Sequence, residues 1–409
     1  MKNINLLKII SLMSIWVLLL WSCNTDELDD IKERIAALEA QELIKDSVIF
    51  ESLTIDNQTT MNLMAGRGIT NILGQLEIRN CNDISPLLGL KSVGSLYIET
   101  SGLTSLHGLE NLEDVGYVDI YFDKDVDISA LDGLESLDYI SLYGNLPSTP
   151  MFKNLAFVSY INIYCESEDC ILSGFEKIVQ IEGLDISGNQ KLSIQGFNNL
   201  LSVEHMYSQA YTLEISGFNK LATVQELYIF AENSVTGMNN LRQVYGDLLL
   251  DAQNVNNFLN KLSAIGGTFH INSYSDNNIK NFADLGFTNL ESIGGIGIAS
   301  PTIESLNGFD FSKSSLDEIS FFDCPKLNDI SALSSYSGEI EWLAIINTGL
   351  ASLTGLENIT AFRDGIEIHH NLQLGDMCAI KDIFDEIRYK NISENLINPI
   401  ESADISGCN

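Results

Sequence analysis

A short alternation of apolar and polar residues recurs along most of the chain from Gly74 onward. Segments such as GQLEI, GSLYI, SYINI and QELYI place an apolar residue at every second position, which is typical of a strand with one buried face. The segments recur with a period of about 22 residues. No single row has enough apolar surface to form a core alone, so the pattern predicts a stack of parallel strands, a β-solenoid. Its fourteen rows begin at residues 74, 94, 116, 138, 159, 182, 204, 225, 245, 266, 294, 317, 341 and 363.

The same alternation assigns the interior of the solenoid. Each row contributes two inward side chains, and stacking the rows joins them into continuous apolar columns. One row departs from the pattern, because Ser208 stands where an apolar residue is expected. The predicted inward pairs include Leu76 and Ile78, Leu96 and Ile98, Ile161 and Ile163, Leu227 and Ile229, and Leu343 and Ile345.

The row pattern L-x-I … L-x-G-L-x-x-L-x-x-V-x-G resembles that of leucine-rich repeats, especially the receptor L-domain type. The resemblance covers about residues 74–384. It implies a right-handed parallel β-solenoid whose sheet face contacts other proteins, and it names no ligand. We assign the solenoid to residues 74–375 and an N-terminal cap region to residues 52–73.

The segment after the last predicted row, DMCAIKDIFDEIRYK, has apolar residues at helical spacing. Ile380, Ile383, Phe384 and Ile387 would form one buried stripe. This spacing predicts an amphipathic helix that covers the open end of the solenoid, as terminal repeats require for solubility. Residues 376–409 are therefore interpreted as a C-terminal cap helix and tail.

The N-terminus has the features of an export signal. Residues 1–22 combine two lysines with a short apolar run, and the run ends in LWSC at Cys23. This ending resembles the lipobox of bacterial lipoproteins, which implies a lipid anchor on Cys23. The acidic NTDELDD that follows resembles signals that send lipoproteins to the surface of the outer membrane. The alternative is an ordinary cleaved signal followed by an incidental cysteine.

Residues 23–51 are predicted to hold the solenoid away from the membrane. Leu28, Ile31, Ile35 and Leu38 have the spacing of a helical stripe and of a coiled-coil seam about two heptads long. Two interpretations stay open. The segment is either a solvated spacer helix or a helix that joins copies of the chain into a dimer or trimer.

Six cysteines remain besides Cys23, in a compartment that allows disulfides. Cys165 and Cys170 can close a small loop, and Cys378 can pair with Cys408. The remaining two, Cys81 and Cys324, occupy the same position in rows far apart along the solenoid, so they are predicted to be buried free thiols. The chain has no CxxC spacing or histidine cluster, and we predict no metal site or cofactor.

The charge of the chain excludes one class of partner. Lys and Arg together number 22 against 56 Asp and Glu, which gives a formal net charge of -34. Such a chain repels the phosphates of nucleic acids, so nucleic-acid binding is excluded. The 45% of hydrophobic residues is still ample for a large core.

Aromatic residues concentrate at the outward positions of the predicted strands. In three consecutive rows the first and third outward positions are both tyrosine, which predicts a cluster of six rings on the sheet face. Two interpretations stay open, a cross-strand ladder that only stabilises the sheet and a surface that contacts a ligand. The outward tyrosines are Tyr97, Tyr117, Tyr121, Tyr139, Tyr143, Tyr160, Tyr164, Tyr207 and Tyr228.

Three weaker patterns in the sequence resemble metal or catalytic sites. The run DKDVD resembles the start of a calcium loop, but Ile128 stands where the loop requires glycine. Glu226 and Asp247 are neighbours on adjacent rows, like the carboxylates of a retaining glycosidase. His369 and His370 are expected to point to opposite faces of a strand and so not to chelate together. No catalytic triad or phosphate-binding glycine loop is present in the sequence, and we predict no enzyme activity.

The sequence thus favours a lipid-anchored recognition or adhesion protein on the cell surface. Its predicted partner is an extracellular protein bound by the sheet face. The second hypothesis is glycan capture by the tyrosine cluster, and the third is a solenoid glycosidase.

Replacing Cys23 by Ala removes the proposed acylation site, so the chain is expected to leave the membrane fraction. Fractionation of cells that express the variant and the native chain measures this. Variant chains that still partition with membranes would contradict the lipid anchor.

Overall fold

The computed structural model describes residues 47–273 and 278–408. All strand pairs in this part of the chain are parallel, and they build a β-solenoid of about 16 turns. The prediction of a parallel β-solenoid is confirmed. The predicted signal peptide, the lipidated Cys23 and the spacer helix lie outside the described residues, apart from the last residues assigned to the spacer.

Most rows contribute one strand to the sheet face, and the central rows continue past a corner into a second strand segment. The strands are β1 Val48–Ile49, β2 Leu53–Ile55, β3 Asn71–Ile78, β4 Ser92–Glu99, β5 Asp114–Phe122, β6 Ser136–Gly144, β7 Phe157–Cys165, β8 Asp169–Leu172, β9 Gln180–Gly188 and β10 Lys191–Ile194. They continue with β11 Ser202–Ile215, β12 Thr223–Gly237, β13 Gln243–Val244, β14 Leu248–Phe258, β15 Ala264–Asn272, β16 Ser292–Ala299, β17 Glu318–Cys324, β18 Gly338–Thr348, β19 Ile359–His369 and β20 Lys390–Ser393.

Helices in the described residues are short. One α-helix, α1 Gln58–Asn62, begins after Asn57, whose side chain accepts a hydrogen bond from the backbone N–H of Thr60 at 2.8 Å. The other helices are single 3₁₀ segments in the connections between strands. These segments are Ser85–Leu87, Ser129–Gly133, Phe282–Leu285, Phe311–Lys313, Ser331–Ser335, Cys378–Glu386 and Ser402–Asp404.

A recurring aspartate explains why the connections repeat. The Asp127 carboxylate accepts a hydrogen bond from the N–H two residues later, at 2.9 Å, and this fixes the turn that starts a 3₁₀ segment. Asp83, Asp329 and Asp376 do the same at 2.8, 2.9 and 2.9 Å. The similar segments NDIS and VDIS in the sequence are therefore equivalent corners of different rows.

The solenoid extends one row beyond each predicted boundary. Strand β2 pairs with β3, placing Leu53 opposite Leu76, so a row precedes residue 74. Strand β20 pairs with β19, so a row follows residue 375. Both end strands have only three or four residues, too few for their alternation to be recognised in the sequence.

The predicted C-terminal helix takes a different form. It is a 3₁₀ helix over Cys378–Glu386, and the chain then continues into β20 instead of ending the stack. The segment starts with the same aspartate turn as the other corners, because Asp376 accepts a hydrogen bond from the N–H of Cys378. Ile380 and Phe384, of the predicted stripe, are fully buried.

The core consists of columns in which like residues stack on like. Leu76, Leu96, Val118 and Ile140 follow one another in register and are at most 1% exposed. A second column is a stack of buried phenylalanines with ring centroids 5.5, 4.7 and 5.4 Å apart. Its members have positive φ angles between 48 and 59°, a conformation that costs a non-glycine residue about 1 kcal/mol or more. Ring stacking and burial offset this cost. The stack contains Phe152, Phe175, Phe197 and Phe218.

The cysteines divide into two bonded pairs and two free thiols. Cys165 is joined to Cys170 and Cys378 to Cys408, with Cα atoms 6.4 and 5.4 Å apart. The second bond ties the C-terminal tail to the 3₁₀ helix Cys378–Glu386. The free thiols, Cys81 and Cys324, are buried, and burial raises the pKa of each to about 11. These two thiols are therefore neutral and unreactive at physiological pH.

Ser208 lies in an interior column between Ile186 and Ile229, so the register holds through this irregular row. The side chain is fully buried, and its hydroxyl has no hydrogen-bond partner. A buried hydroxyl without a partner loses its hydration and gains nothing in return.

Replacing Ser208 by Ala should therefore raise the free energy of unfolding by about 1 kcal/mol. Chemical denaturation of the variant and the native chain measures the change. The matched control is Ser136→Ala, at an exposed strand position, which should shift the free energy of unfolding by no more than about 0.5 kcal/mol. A Ser208→Ala chain that is less stable than the native chain would show that the hydroxyl contributes a favourable contact.

Candidate functional site

The sheet face brings the six central tyrosines together. Tyr117, Tyr139 and Tyr160 face each other in register across β5, β6 and β7, and we call them the first Tyr stack. Tyr121, Tyr143 and Tyr164 do so four residues further along the same strands and form the second Tyr stack. Between the stacks runs a middle column of small polar residues, Asp119, Ser141 and Asn162.

The rings of each stack lie against one another. In the first Tyr stack the centroids are 6.2 and 5.5 Å apart, and in the second they are 5.6 and 4.6 Å apart. Three of the four pairs are stacked within 21° of parallel. Inner faces are thus covered by neighbouring rings, and the edges and hydroxyls remain for a partner. Tyr117, Tyr121 and Tyr143 are still 52%, 37% and 41% exposed.

The stacks end at β9, where the residue in register with Tyr160 is Gly183. The Tyr160 ring occupies the space left by the missing side chain, since a Cβ at Gly183 would lie 2.0 Å from Tyr160 Cε2. The Tyr160 hydroxyl donates a hydrogen bond to Asp185, and that of Tyr164 donates one to Asn189 Oδ1 at 2.5 Å. Burial, the hydrogen bond and the charge of Asp185 all raise the pKa of the Tyr160 phenol. These contacts fix the last rings in place.

Tyr97 lies at the opposite end of the stacks but belongs to neither. It occupies the middle column of β4, in register with Asp119. The guanidinium carbon of Arg79 lies 5.1 Å from the centroid of its ring, and its hydroxyl donates to Glu99 Oε1 at 3.0 Å. Burial and the Glu99 carboxylate raise the pKa of Tyr97.

Tyr207 and Tyr228 are separated from the stacks by β9. Both lie in the middle column, on β11 and β12, where they are in register with each other. The Tyr207 ring contacts Phe230 with centroids 5.3 Å apart, and the Tyr228 hydroxyl donates to Glu226 at 3.1 Å. Of the nine predicted tyrosines, these two form a separate group.

The electrostatics around the stacks are acidic. Arg79 is close to Glu77 and Glu99, with N–O distances of 2.7 and 3.2 Å, so its charge is already neutralised. Asp119 lies on the floor between the two stacks. Burial raises its pKa, and a hydrogen bond with the Ser141 hydroxyl acts in the opposite direction.

The aspartates of the calcium-like run have other contacts. Asp127 caps the 3₁₀ segment described above, and Asp125 accepts a hydrogen bond from the Ser148 hydroxyl at 3.2 Å. In the described part of the chain, no group of three or more His, Cys, Asp or Glu side chains is arranged to hold a metal ion.

Glu226 and Asp247, the carboxylates considered for glycoside hydrolysis, bind different neighbours. Glu226 Oε2 lies 3.0 Å from His205 Nδ1 and accepts the Tyr228 hydroxyl. Asp247 accepts a hydrogen bond from the backbone N–H of Thr268 at 2.8 Å. Each carboxylate thus has its own hydrogen-bond partners.

The prediction that His369 and His370 point to opposite faces is wrong. Their Nδ1 atoms lie 2.7 Å apart. Alternation ends because β19 stops at His369 and His370 has a φ of 61°, in the left-handed region. The outer Nε2 atoms face Glu367 at 3.5 Å and Glu394 at 2.7 Å.

No protein-family model matches the chain, and no curated protein matches it in sequence. Among residues 47–273 and 278–408, no helix is long and apolar enough to cross a membrane.

Proposed function

We propose that the chain is a non-enzymatic recognition or adhesion protein that binds a protein partner through the two Tyr stacks. The observation that carries this proposal is the arrangement of six tyrosines, with three of the rings between 37% and 52% exposed. Tyrosine is enriched at the energetic centres of protein interfaces, because its ring is large and rigid and its hydroxyl finds hydrogen bonds.

The packing of the rings supports pre-organisation of this surface. Tyr139 lies between two ring neighbours, and Tyr160 and Tyr164 are held by the hydrogen bonds to Asp185 and Asn189. Side chains that are already ordered lose little conformational entropy when a partner binds. The same stacking also stabilises the sheet, by a few tenths to about 1 kcal/mol per pair, so both roles are compatible.

The orientation of the rings favours a protein over a glycan. A sugar ring stacks on an exposed aromatic face, whereas the inner faces of both stacks are covered by neighbouring rings, so the stacks present mainly edges and hydroxyls. Hydroxyls along two parallel lines, with Ser141 and Asn162 between them, suit the polar groups of a protein surface. Glycan capture is the second function that the experiment below distinguishes.

The location and the finer fold type belong to the same proposal. The lipobox-like LWSC supports a lipid anchor on Cys23, and the acidic NTDELDD supports exposure on the surface of the outer membrane. The period of about 22 residues supports a right-handed solenoid of the leucine-rich, receptor L-domain type. We also propose that residues 376–409 form the C-terminal cap, in which the Cys378–Cys408 disulfide ties the tail after β20 to the 3₁₀ helix Cys378–Glu386.

Replacing Tyr121, Tyr143 and Tyr164 together by Ala should weaken binding to the partner at least tenfold, because it removes one whole stack. The mature chain is tested against a panel of purified extracellular proteins and on a glycan array, and the variant is then compared on each ligand found. Thermal unfolding of both chains checks that the fold is kept.

The matched control replaces three exposed tyrosines outside the stacks by Ala, namely Tyr211, Tyr245 and Tyr389. This control should bind within about twofold of the native chain. Equal binding by the stack variant and the native chain would overturn the proposed site. If the stack variant loses binding only to glycans on the array, the partner of this surface is a sugar and not a protein.

A further inference from the structure

Three tyrosines are the neighbours of one carboxylate on the sheet face where the Tyr stacks begin. Asp119 lies in the middle column of β5, with Tyr117 and Tyr121 two residues before and after it on the same face of the strand. Tyr97 is its neighbour in register on β4, and Ser141 is its neighbour on β6. We call Tyr97, Tyr117, Tyr121 and Asp119 the Asp119 cage.

Two of these rings have a face that no other aromatic ring covers in the described part of the chain. The only aromatic ring that contacts Tyr117 among the described residues is Tyr139, and the only one that contacts Tyr121 is Tyr143. On the preceding strand, the residues in register with Tyr117 and Tyr121 are Ser95 and Glu99, which are not aromatic. The first ring of each stack therefore has no aromatic neighbour on the side toward β4, the strand that carries Tyr97.

The carboxylate of Asp119 has no cationic partner among the described residues. Arg79, the cation that lies over the neighbouring Tyr97 ring, is paired with Glu77 and Glu99. Asp119 is partly buried, and its carboxylate accepts a hydrogen bond from the Ser141 hydroxyl. A partly desolvated carboxylate without a counter-ion interacts strongly with a cation that reaches it.

One ring of the cage already makes a cation–π contact within the chain. Arg79 lies over the Tyr97 ring from the preceding row, at a distance typical of cation–π contact. The side of Tyr97 toward β5 faces the row of Asp119, Tyr117 and Tyr121. A second cation placed there would contact the Tyr97 ring and the Asp119 carboxylate together, with Tyr117 and Tyr121 on either side.

We propose that the Asp119 cage binds one Lys or Arg side chain of the protein partner. The inference rests on the proposed function of the sheet face and names the chemistry of its partner. Aromatic faces attract cations through their electron-rich centres, and the carboxylate adds a charge-assisted hydrogen bond. The net charge of -34 favours approach of a basic surface over any other.

The test uses a basic peptide, so it does not depend on finding the partner. The mature chain with ¹³C-labelled tyrosine rings is titrated with acetyl-Gly-Arg-Gly-amide at about 0.15 M salt, where unspecific attraction is screened. If the cage binds the arginine, the NMR chemical shifts of the Tyr97, Tyr117 and Tyr121 rings should change and reach saturation as the peptide is added. Shifts spread evenly over all the tyrosines, or no saturation, would overturn it.

Asp119→Asn should weaken binding of the peptide at least tenfold, because it removes the charge and keeps the shape. The matched control is Asp247→Asn, which removes the same charge from the same face about 29 Å away, six rows at about 4.8 Å per row. This control should change the dissociation constant by less than twofold. Equal weakening by the two variants would mean unspecific attraction and would overturn the cage.

A second variant, Tyr97→Leu, removes a ring without changing any charge and should weaken binding at least threefold. Retention of full affinity would overturn the aromatic part of the cage. The partner experiment separates this proposal from the function itself. If partner binding needs the second Tyr stack but is indifferent to Asp119→Asn, the cage is wrong and the proposed function stands.

Discussion

The parallel register between rows is the constraint on which the rest of the molecule depends. Each strand lies about 4.8 Å from the next, and equivalent residues of successive rows face each other. A residue type that recurs at one row position therefore becomes a continuous column. Inside, this gives the aliphatic columns and the phenylalanine stack, whose members tolerate positive φ angles because each ring packs on the next. Outside, the same spacing brings tyrosine rings to stacking distance.

The candidate binding surface is a direct product of this spacing. Stacking orders the rings before a partner arrives, so the interaction that stabilises the sheet also prepares it for binding. Where a column changes residue type, the surface changes character. Gly183 ends the first Tyr stack and receives the ring of Tyr160, and the middle column supplies Asp119 between two lines of aromatic rings. Asp119, which has no cationic partner among the described residues, is the basis of the cation preference proposed for this face, and the acidity of the chain as a whole acts in the same direction.

The sequence was sufficient for the features that follow from periodicity. Alternation and the repeat length predicted the parallel solenoid, the inward pairs and the grouping of six tyrosines on one face. Features that depend on irregular backbone were missed. The short strands β2 and β20 carry too little alternation to be seen, and the amphipathic spacing near residue 380 does not distinguish an α-helix from a 3₁₀ segment started by Asp376. His369 and His370 meet because His370 leaves the strand conformation. Side-chain rotamers, which decide whether the rings lie flat or stack, are not encoded in a pattern of residue types.

The central claim is that a partner covers the start and middle of the Tyr stacks. Hydroxyl-radical footprinting of the mature chain, free and bound to its partner, tests this directly, because exposed tyrosine rings react and covered ones do not. The account predicts that Tyr117, Tyr121 and Tyr143 lose reactivity in the complex, while the equally exposed Tyr211 and Tyr245 keep it. Protection of Tyr211 and Tyr245 with unchanged reactivity of the stacks would contradict the account.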